Sequence, residues 1–188
     1  MTALPDLIDL DRRENLIAGV VVHALTVHRD RRGLLVEMLR ADWPEIVAPE
    51  RPFAQSYYSI TYPWIARDED RWHVHQHQED RFIVCQGDVV LAIYDWRPES
   101  PTYGRLNLFL LGESSRTDWQ PLVLVPARTL HGFVVVGDRP AVLVNFPTRL
   151  YNPADEGRVP FSDVKATFSD GEPFAWERIR AWWRRRTA

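Results

Sequence analysis

The sequence contains almost no cysteine, carries little net charge and has no long hydrophobic run. Cys85 is the single cysteine in 188 residues, so the chain cannot form an internal disulfide, which is typical of a reducing, cytoplasmic setting. A formal net charge of −3 gives no electrostatic footprint for nucleic acid. No apolar run approaches the ~20 residues that cross a bilayer. We therefore expect a cytoplasmic protein with neither a nucleic acid nor a membrane as its partner.

The N-terminus also lacks the pattern of a secretory signal. Charged residues interrupt it too often for an uninterrupted apolar stretch to exist there, and we expect no signal peptide. The charged positions are Asp6, Asp9, Asp11, Arg12, Arg13 and Glu14.

What the sequence does contain is a series of short β-branched and aromatic runs separated by turn residues. Many short strands at a spacing of roughly 8–12 residues predict a sandwich or barrel. No repeat or low-complexity linker interrupts the series, so we predict one all-β domain over residues 1–188. Cys85 is expected to be a small buried residue in its strand. The predicted strands are Val20–Val27, Leu34–Leu39, Phe53–Ile60, Phe82–Cys85, Val89–Tyr94, Leu106–Leu111, Leu122–Val125, Phe133–Val136 and Ala141–Phe146.

The end of the chain has a helical pattern instead. Residues 170–173 combine an acidic cap with a proline, which is typical of a helix start, and we predict a C-terminal helix over about residues 172–186. Trp176, Ile179 and Trp183 fall on one stripe that should face the core. The basic run Arg184–Arg186 is expected to face solvent and to oppose the helix dipole.

The segment Trp72–Arg81 carries three histidines in alternation. If it is extended, the side chains of His73, His75 and His77 project from one face. Three imidazoles make an awkward core, so the alternation indicates a functional site. His131 stands at the start of a later predicted strand, and we predict that it converges with His73 and His75 in one internal cavity.

Two stretches resemble the motifs of the cupin superfamily. His73-x-His75, four residues, Asp80, six residues and Gly87 are similar to the first motif. Pro126-x-Arg128-x-x-His131 is similar to the second, with arginine where glycine is usual. The resemblance implies a cupin double-stranded β-helix, which is a jelly-roll barrel.

Further segments resemble one family of sugar-nucleotide cupins, the dTDP-4-dehydrorhamnose 3,5-epimerase (RmlC-like) family. The similarity runs from about Gly19 to Phe161, which we take as the core of the domain. The segments are Asp30–Gly33 with Glu37, Phe53–Gln55, Ser100–Gly104, Val125–Pro126 with His131–Phe133, and Tyr151–Pro153.

The family resemblance implies an isomerase of carbohydrate biosynthesis that acts on a nucleotide-linked 4-keto-6-deoxysugar. Its general base is the histidine nearest the start of the first motif, which is His73 here. This base removes the proton beside the ketone, and imidazole, with a pKa of ~6.5, suits that task. Such enzymes need no cofactor, and they dimerise through their N-terminal strands, so we expect a homodimer.

The same resemblance assigns residues that bind the nucleotide sugar. Guanidinium groups suit a diphosphate because their planar donors engage two oxygens at once. Arg71 is the rival of Arg67 as the family arginine that precedes the base. The implied substrate-binding residues are Arg32, Glu37, Gln55, Arg67 and His131.

Three positions depart from the family pattern. Val144 stands thirteen residues after His131, where the family has the tyrosine that returns the proton. Leu34 replaces an aromatic residue, and the aspartate near the family's C-terminus has no counterpart. Tyr57 is our candidate for a replacement acid, because it shares strand parity with Gln55. The alternative for Tyr57 is a buried structural aromatic with its hydroxyl paired.

The histidines also support a metal-dependent alternative. A cupin metal site would use His73, His75, Asp80 and His131, and three nitrogens with one oxygen suit Zn, Fe, Mn or Ni. Glu79 is the rival of Asp80. This alternative predicts an oxygenase or isomerase that acts on a small polar molecule. A third hypothesis, motivated by the missing tyrosine, is a catalytically silent sugar-binding cupin.

Overall fold

The computed structural model describes residues 4–115 and 118–187. Across these residues eleven strands form two antiparallel sheets, and one longer helix follows them. The predicted all-β cupin jelly roll with a C-terminal helix is confirmed. The elements are β1 Val21–Asp30, β2 Gly33–Val36, β3 Tyr57–Thr61, β4 Arg71–His75, β5 Asp80–Gln86, β6 Asp88–Tyr94, β7 Leu106–Gly112, β8 Trp119–Val125, β9 Leu130–Val136, β10 Ala141–Asn145, β11 Glu156–Pro160, the single turn α1 Phe161–Val164 and α2 Trp176–Thr187.

Both sheets contribute residues to the candidate site. One sheet has six strands in the order β2-β1-β8-β5-β10-β3, and the other has five in the order β11-β4-β9-β6-β7. Strands β4 and β5 are consecutive in the chain but lie in different sheets, so residues 76–79 cross from one sheet to the other. This crossing places the histidines of β4 opposite the start of β5.

Strand β6 shows how the hydrophobic core is built. Val89, Leu91 and Ile93 belong to the cluster between the sheets, while Val90 and Ala92 belong to a second cluster on the outer face. Alternate residues of a strand point to opposite faces. Both faces of β6 are buried, which explains its uninterrupted apolar sequence.

Helix α2 covers the outer face of the five-stranded sheet. The predicted stripe of Trp176, Ile179 and Trp183 is buried there, as expected. Gly132 of β9 lies beneath Trp176, and a Cβ at this glycine would be 3.1 Å from Trp176 Cζ2. A small residue beside His131 therefore lets the helix pack directly behind the histidine strand.

The boundary of the helix differs from the prediction. Helix α2 begins at Trp176 rather than near residue 172. Pro173 instead forms an isolated β-bridge with Thr167, and the backbone N–H of Phe174 donates to Ala166. The acidic residues and the proline thus lie in a turn that precedes the helix. Arg184–Arg186 are exposed, as predicted.

Other differences concern strand ends and burial. Strand β2 ends at Val36 and strand β3 begins at Tyr57, so both are shorter than predicted, and strand β11 was not predicted. Cys85 lies in β5 but is exposed, where the sequence predicted burial. Its strand pairs irregularly with β10, with a register shift between Val142 and Leu143. No helix within the described residues is long and apolar enough to cross a membrane.

Candidate active site

Strands β4 and β9 bring the predicted histidines together. These strands are neighbours in the five-stranded sheet, and His73 is paired directly with His131 across them. The two ring centroids lie 5.0 Å apart. His75 follows on the same face of β4, and its Nε2 lies 2.9 Å from the Nε2 of His73. The three predicted histidines thus lie together, although His131 and His75 line different, adjoining cavities.

His77 does not join this cluster. Strand β4 ends at His75, and the chain then turns toward β5. His77 is exposed, and its backbone N–H donates a 2.8 Å hydrogen bond to Asp155. The prediction that His77 shares the face of the other two is wrong, because the two-residue period holds only while the strand lasts.

Asp80, at the start of β5, is the buried carboxylate of the cluster. Its Oδ2 lies 3.3 Å from His131 Nε2 and 3.7 Å from His75 Nε2. Its Oδ1 accepts hydrogen bonds of 2.8 Å from the amides of both Gln78 and Asn145. Burial raises the pKa of Asp80, but the hydrogen bond and charge of His131 outweigh burial and bring the pKa to about 2. Asp80 is therefore ionised at neutral pH.

The structure also separates Asp80 from its sequence rival. Glu79 accepts a 2.9 Å hydrogen bond from Arg51, away from the histidines. Consecutive residues of extended chain point to opposite sides, so only one of the two acids can face the cluster.

Tyr57 reaches the site from the other sheet. It begins β3 and lies directly across from Asn145 of β10. Asn145 Oδ1 accepts the backbone N–H of Arg81 at 3.0 Å, which orients the amide. Its Nδ2 then donates to both Tyr57 Oη, at 2.9 Å, and Asp80. Because Tyr57 Oη accepts this hydrogen bond, its own hydrogen remains available to a ligand.

Strand β11 adds two charged residues that were not among the predicted site residues. It pairs with β4, which places Glu156 opposite His75 and Arg158 opposite His73. Glu156 Oε1 lies 2.6 Å from Arg158 Nη1 and 3.7 Å from His73 Nδ1. Recognising these residues required the strand pairing, because the alternation Glu156-Gly-Arg158 is too short to predict a strand.

Two adjoining cavities open onto these groups, with volumes of about 210 and 380 Å³. Tyr57, His73 and Arg158 line both of them. His131, Asp80, Phe82, Leu143, Ser59 and Arg67 are among the lining residues of the smaller cavity. Gln55, His75, Gln78, Tyr151 and Glu156 complete the lining of the larger one. His73 comes from the five-stranded sheet and Tyr57 from the six-stranded sheet, so the two side chains approach the space from opposite walls.

Of the two candidate arginines, Arg67 lies at the site. Its Nε donates to Thr61 Oγ1 at 2.9 Å and its Nη2 to the carbonyl of Ile60 at 3.2 Å, which fixes the guanidinium. Arg71 instead forms an exposed pair with its neighbour Asp70. The structure thus favours Arg67 over its rival.

Arg32 and Glu37 lie elsewhere in the chain. They line a separate groove of about 630 Å³ along the β1–β2 hairpin. Arg32 pairs with Asp30, and this hydrogen bond lowers the pKa of the Asp30 carboxyl. The structure therefore places these two predicted substrate-binding residues apart from the histidine cluster of the same chain.

Val144 faces away from the site. It packs with the hydrophobic cluster on the outer face of the six-stranded sheet, whereas its neighbours Leu143 and Asn145 point inward. A tyrosine at position 144 would therefore not reach the cavities. The register shift in the β5–β10 pairing lies immediately before this stretch.

The surroundings lower the pKa of His73 and His75 and raise the pKa of Tyr57. Burial, together with His131 and His75 nearby, lowers the pKa of His73 to about 2. Burial also lowers the pKa of His75. Burial and the charge of Asp80 raise the pKa of Tyr57 above its usual value. At neutral pH the site thus holds a neutral imidazole at His73 and a protonated phenol at Tyr57.

The cluster does not have the arrangement of a metal site. Within residues 4–115 and 118–187 no group of three or more His, Cys, Asp or Glu side chains could hold a metal ion. Two of the atoms that would bind a cation instead face an N–H donor. Gln78 Nε2 lies 3.0 Å from His75 Nε2 and 2.8 Å from Asp80 Oδ1. The donor set predicted for Zn, Fe, Mn or Ni therefore does not fit these residues.

Comparison with known proteins agrees with the resemblance noted in the sequence. A family model described as dTDP-4-dehydrorhamnose 3,5-epimerase matches residues 14–173. A probable low-salt glycan biosynthesis epimerase of Haloferax volcanii is 42% identical over 149 residues, 77% of this chain and 88% of that protein. The spore coat polysaccharide biosynthesis protein SpsL of Bacillus subtilis is 32% identical over 156 residues, 82% of this chain and 96% of that protein.

Solved structures share the same fold. A dTDP sugar isomerase from Desulfovibrio desulfuricans superposes with a TM-score of 0.70 at 27% identity, covering 86% of this chain and 92% of that one. A 4-keto-6-deoxy sugar epimerase from the novobiocin gene cluster of Streptomyces spheroides gives 0.67 at 26% identity, covering 84% and 78%. The chain therefore belongs to the dTDP-4-dehydrorhamnose 3,5-epimerase family of sugar-nucleotide epimerases.

Proposed function

We propose that this protein epimerises a nucleotide-linked 4-keto-6-deoxysugar, with His73 as the general base and Tyr57 as the proton donor. The observation that carries the proposal is that these two side chains line the same two cavities from opposite sheets. Inversion at carbon requires removal of a proton from one face and its return to the other. A base and an acid on opposite walls supply that geometry.

Both groups rest in the protonation state that this chemistry needs. Burial holds the pKa of His73 far below 6.5, so the imidazole is neutral and has a lone pair for the proton beside the ketone, although the low pKa makes it a weaker base than a free imidazole. The electrons of the C–H bond then move onto the carbonyl oxygen and give an enolate. Tyr57 keeps its proton and is oriented by the amide of Asn145. After donating to carbon, the phenolate oxygen retains that amide hydrogen bond, which stabilises its charge.

The remaining lining residues suit the rest of the substrate. Arg67 and Arg158 place two guanidinium groups at the smaller cavity, and such groups suit a diphosphate because their planar donors engage two oxygens at once. His131 and Gln55 supply polar contacts for the sugar in this assignment. Because two relatives carry glycan and polysaccharide biosynthesis in their names, we assign the reaction to carbohydrate biosynthesis.

The expected homodimer gives Arg32 and Glu37 a role. Both residues line the hairpin groove rather than the histidine cavities. In the proposed cytoplasmic homodimer, the β1–β2 hairpin of one copy approaches the cavities of the other and contributes these residues to its nucleotide. Exposed Leu34 and Leu35 on this hairpin provide apolar surface for that contact.

Incubation with dTDP-4-keto-6-deoxyglucose in heavy water tests the function. We expect deuterium to enter the carbons beside the ketone and the configuration to change, both followed by proton NMR. dTDP-glucose, which has no ketone to acidify those protons, is the matched control and should gain no deuterium. A folded protein that leaves the keto sugar free of deuterium would overturn the proposal.

A further inference from the structure

Gln78 determines the direction of the hydrogen bonds around the base. Its side chain is buried and lies between Asp80 and His75. The group 2.8 Å from Asp80 Oδ1 must be the amide nitrogen, because an amide oxygen there would face the ionised carboxylate lone pair to lone pair. One amide hydrogen therefore goes to Asp80, and the other points to His75 Nε2 at 3.0 Å.

This orientation fixes the tautomer of His75. Its Nε2 accepts from Gln78, so the ring proton is on Nδ1. His75 Nδ1 is buried without a hydrogen bond in the described chain, and it lies 3.6 Å from Asp155 Oδ2. Carboxylates lie at similar distances from both ring nitrogens of His75, so the hydrogen bond from Gln78 decides the tautomer.

The tautomer of His75 in turn fixes that of His73. Their Nε2 atoms are 2.9 Å apart, so exactly one of them carries the shared hydrogen. Because His75 Nε2 is an acceptor, the hydrogen belongs to His73 Nε2. The lone pair of neutral His73 is then on Nδ1. No hydrogen bond occupies His73 Nδ1 among residues 4–115 and 118–187, and Glu156, 3.7 Å away, lines the larger cavity.

We propose that Gln78 and His75 are positioning residues that hold His73 as its Nε2–H tautomer and so make Nδ1 the basic nitrogen. The inference rests on the proposed function for its catalytic meaning. The substrate proton passes to His73 Nδ1, and its bonding electrons pass to the carbonyl oxygen. His73 then keeps its Nε2–H hydrogen bond to His75. The Nδ1–H of His75 faces the Asp155 carboxylate, so these two successive polar contacts stabilise the new positive charge on His73.

NMR of protein labelled with nitrogen-15 in its histidines tests the tautomers without any substrate. We expect a proton on Nε2 of His73 and on Nδ1 of His75. A protonated Nδ1 in neutral His73 would overturn the proposal. If these tautomers are found but the keto sugar exchanges no deuterium, the proposed function fails while the tautomer assignment stands.

Gln78→Met provides the second test, with Gln76→Met as the matched control. Methionine has a similar length but cannot donate to His75, so both histidines should become tautomer mixtures. We expect kcat for deuterium exchange to fall about 10- to 100-fold with a smaller change in KM, because Gln78 is only one of the residues that line the larger cavity. Exposed Gln76 is outside the cluster, and its substitution should change neither readout. Unchanged tautomers and kcat in Gln78→Met would contradict the proposal.

Discussion

The histidine cluster and the β1–β2 hairpin groove differ in how their polar groups are held. In the cluster, several polar groups contact residues that are distant in the chain, such as Asn145 bonded to both Tyr57 and Asp80. In the groove, Arg32 pairs with Asp30 two residues away, and both are largely exposed. One region is preorganised within a single chain, and the other is an open surface.

This difference indicates that the two regions have different roles in the reaction. Chemistry on a carbon acid needs groups fixed to within fractions of an ångström, which buried and cross-linked side chains provide. Binding a nucleotide requires less exact positioning than proton transfer does. Exposed ion pairs such as Arg32–Asp30 contribute little to the stability of the fold. We therefore assign proton transfer to the cluster and part of the nucleotide binding to the hairpin. Substitutions in the two regions should differ in whether they change kcat or KM.

Replacing the base should have the largest effect. We expect His73→Asn to slow deuterium exchange into the keto sugar by about 10²–10⁴-fold, because a general base contributes about that much. Substrate affinity, measured by calorimetry with dTDP, should change little. Equal exchange rates for His73→Asn and wild type would show that another group is the base.

A smaller effect is expected from the hairpin. Arg32→Ala should raise KM about tenfold with kcat nearly unchanged, since one charged contact to phosphate is lost. Mixing Arg32→Ala protein with His73→Asn protein should restore low-KM turnover if the hairpin serves the partner's cavity, because one site of the mixed dimer is then intact. The absence of any restoration, with mixed dimers demonstrated, would confine each site to one chain.

Between pH 7.5 and 5.5, acid should destabilise the protein through the histidine cluster. The pKa values of His73 and His75 are lowered on folding, so the unfolded state binds more protons below pH ~6.5. Stability is therefore present above that pH and is lost as the pH falls, by up to about 1.4 kcal/mol per pH unit for each histidine. Urea unfolding of His73→Asn at pH 7.5 and 5.5 should show a weaker dependence than wild type.

The sequence predicted the architecture well because its signals are local. The uninterrupted apolar run of β6 and the spacing of turn residues require no knowledge of partners. Strand parity alone also grouped His73 with His75. It was wrong for His77, since a local period does not reveal where the chain leaves the sheet.

Parts of the site could not be predicted because they depend on strand pairing. Glu156 and Arg158 reach the cavity only through the pairing of β11 with β4, a contact across about eighty residues of chain. The orientation of Val144 was likewise hidden, because the sequence alone does not show which residues of β10 point to the cavities and which to the outer face. Gln78 and Asn145 were missed because an amide acquires a directional role only when its neighbours are known.

The roles of His73 and Tyr57 are tested most directly by comparing exchange with inversion in Tyr57→Phe. The variant loses the phenol proton but keeps the ring, and its base is untouched. In heavy water we predict that it still incorporates deuterium beside the ketone at a rate within about tenfold of wild type, while inversion falls about 10²–10⁴-fold. Enolate formed by His73 would then be reprotonated from the face of the base. Inversion at the wild-type rate in Tyr57→Phe would contradict the assignment of Tyr57 as the proton donor.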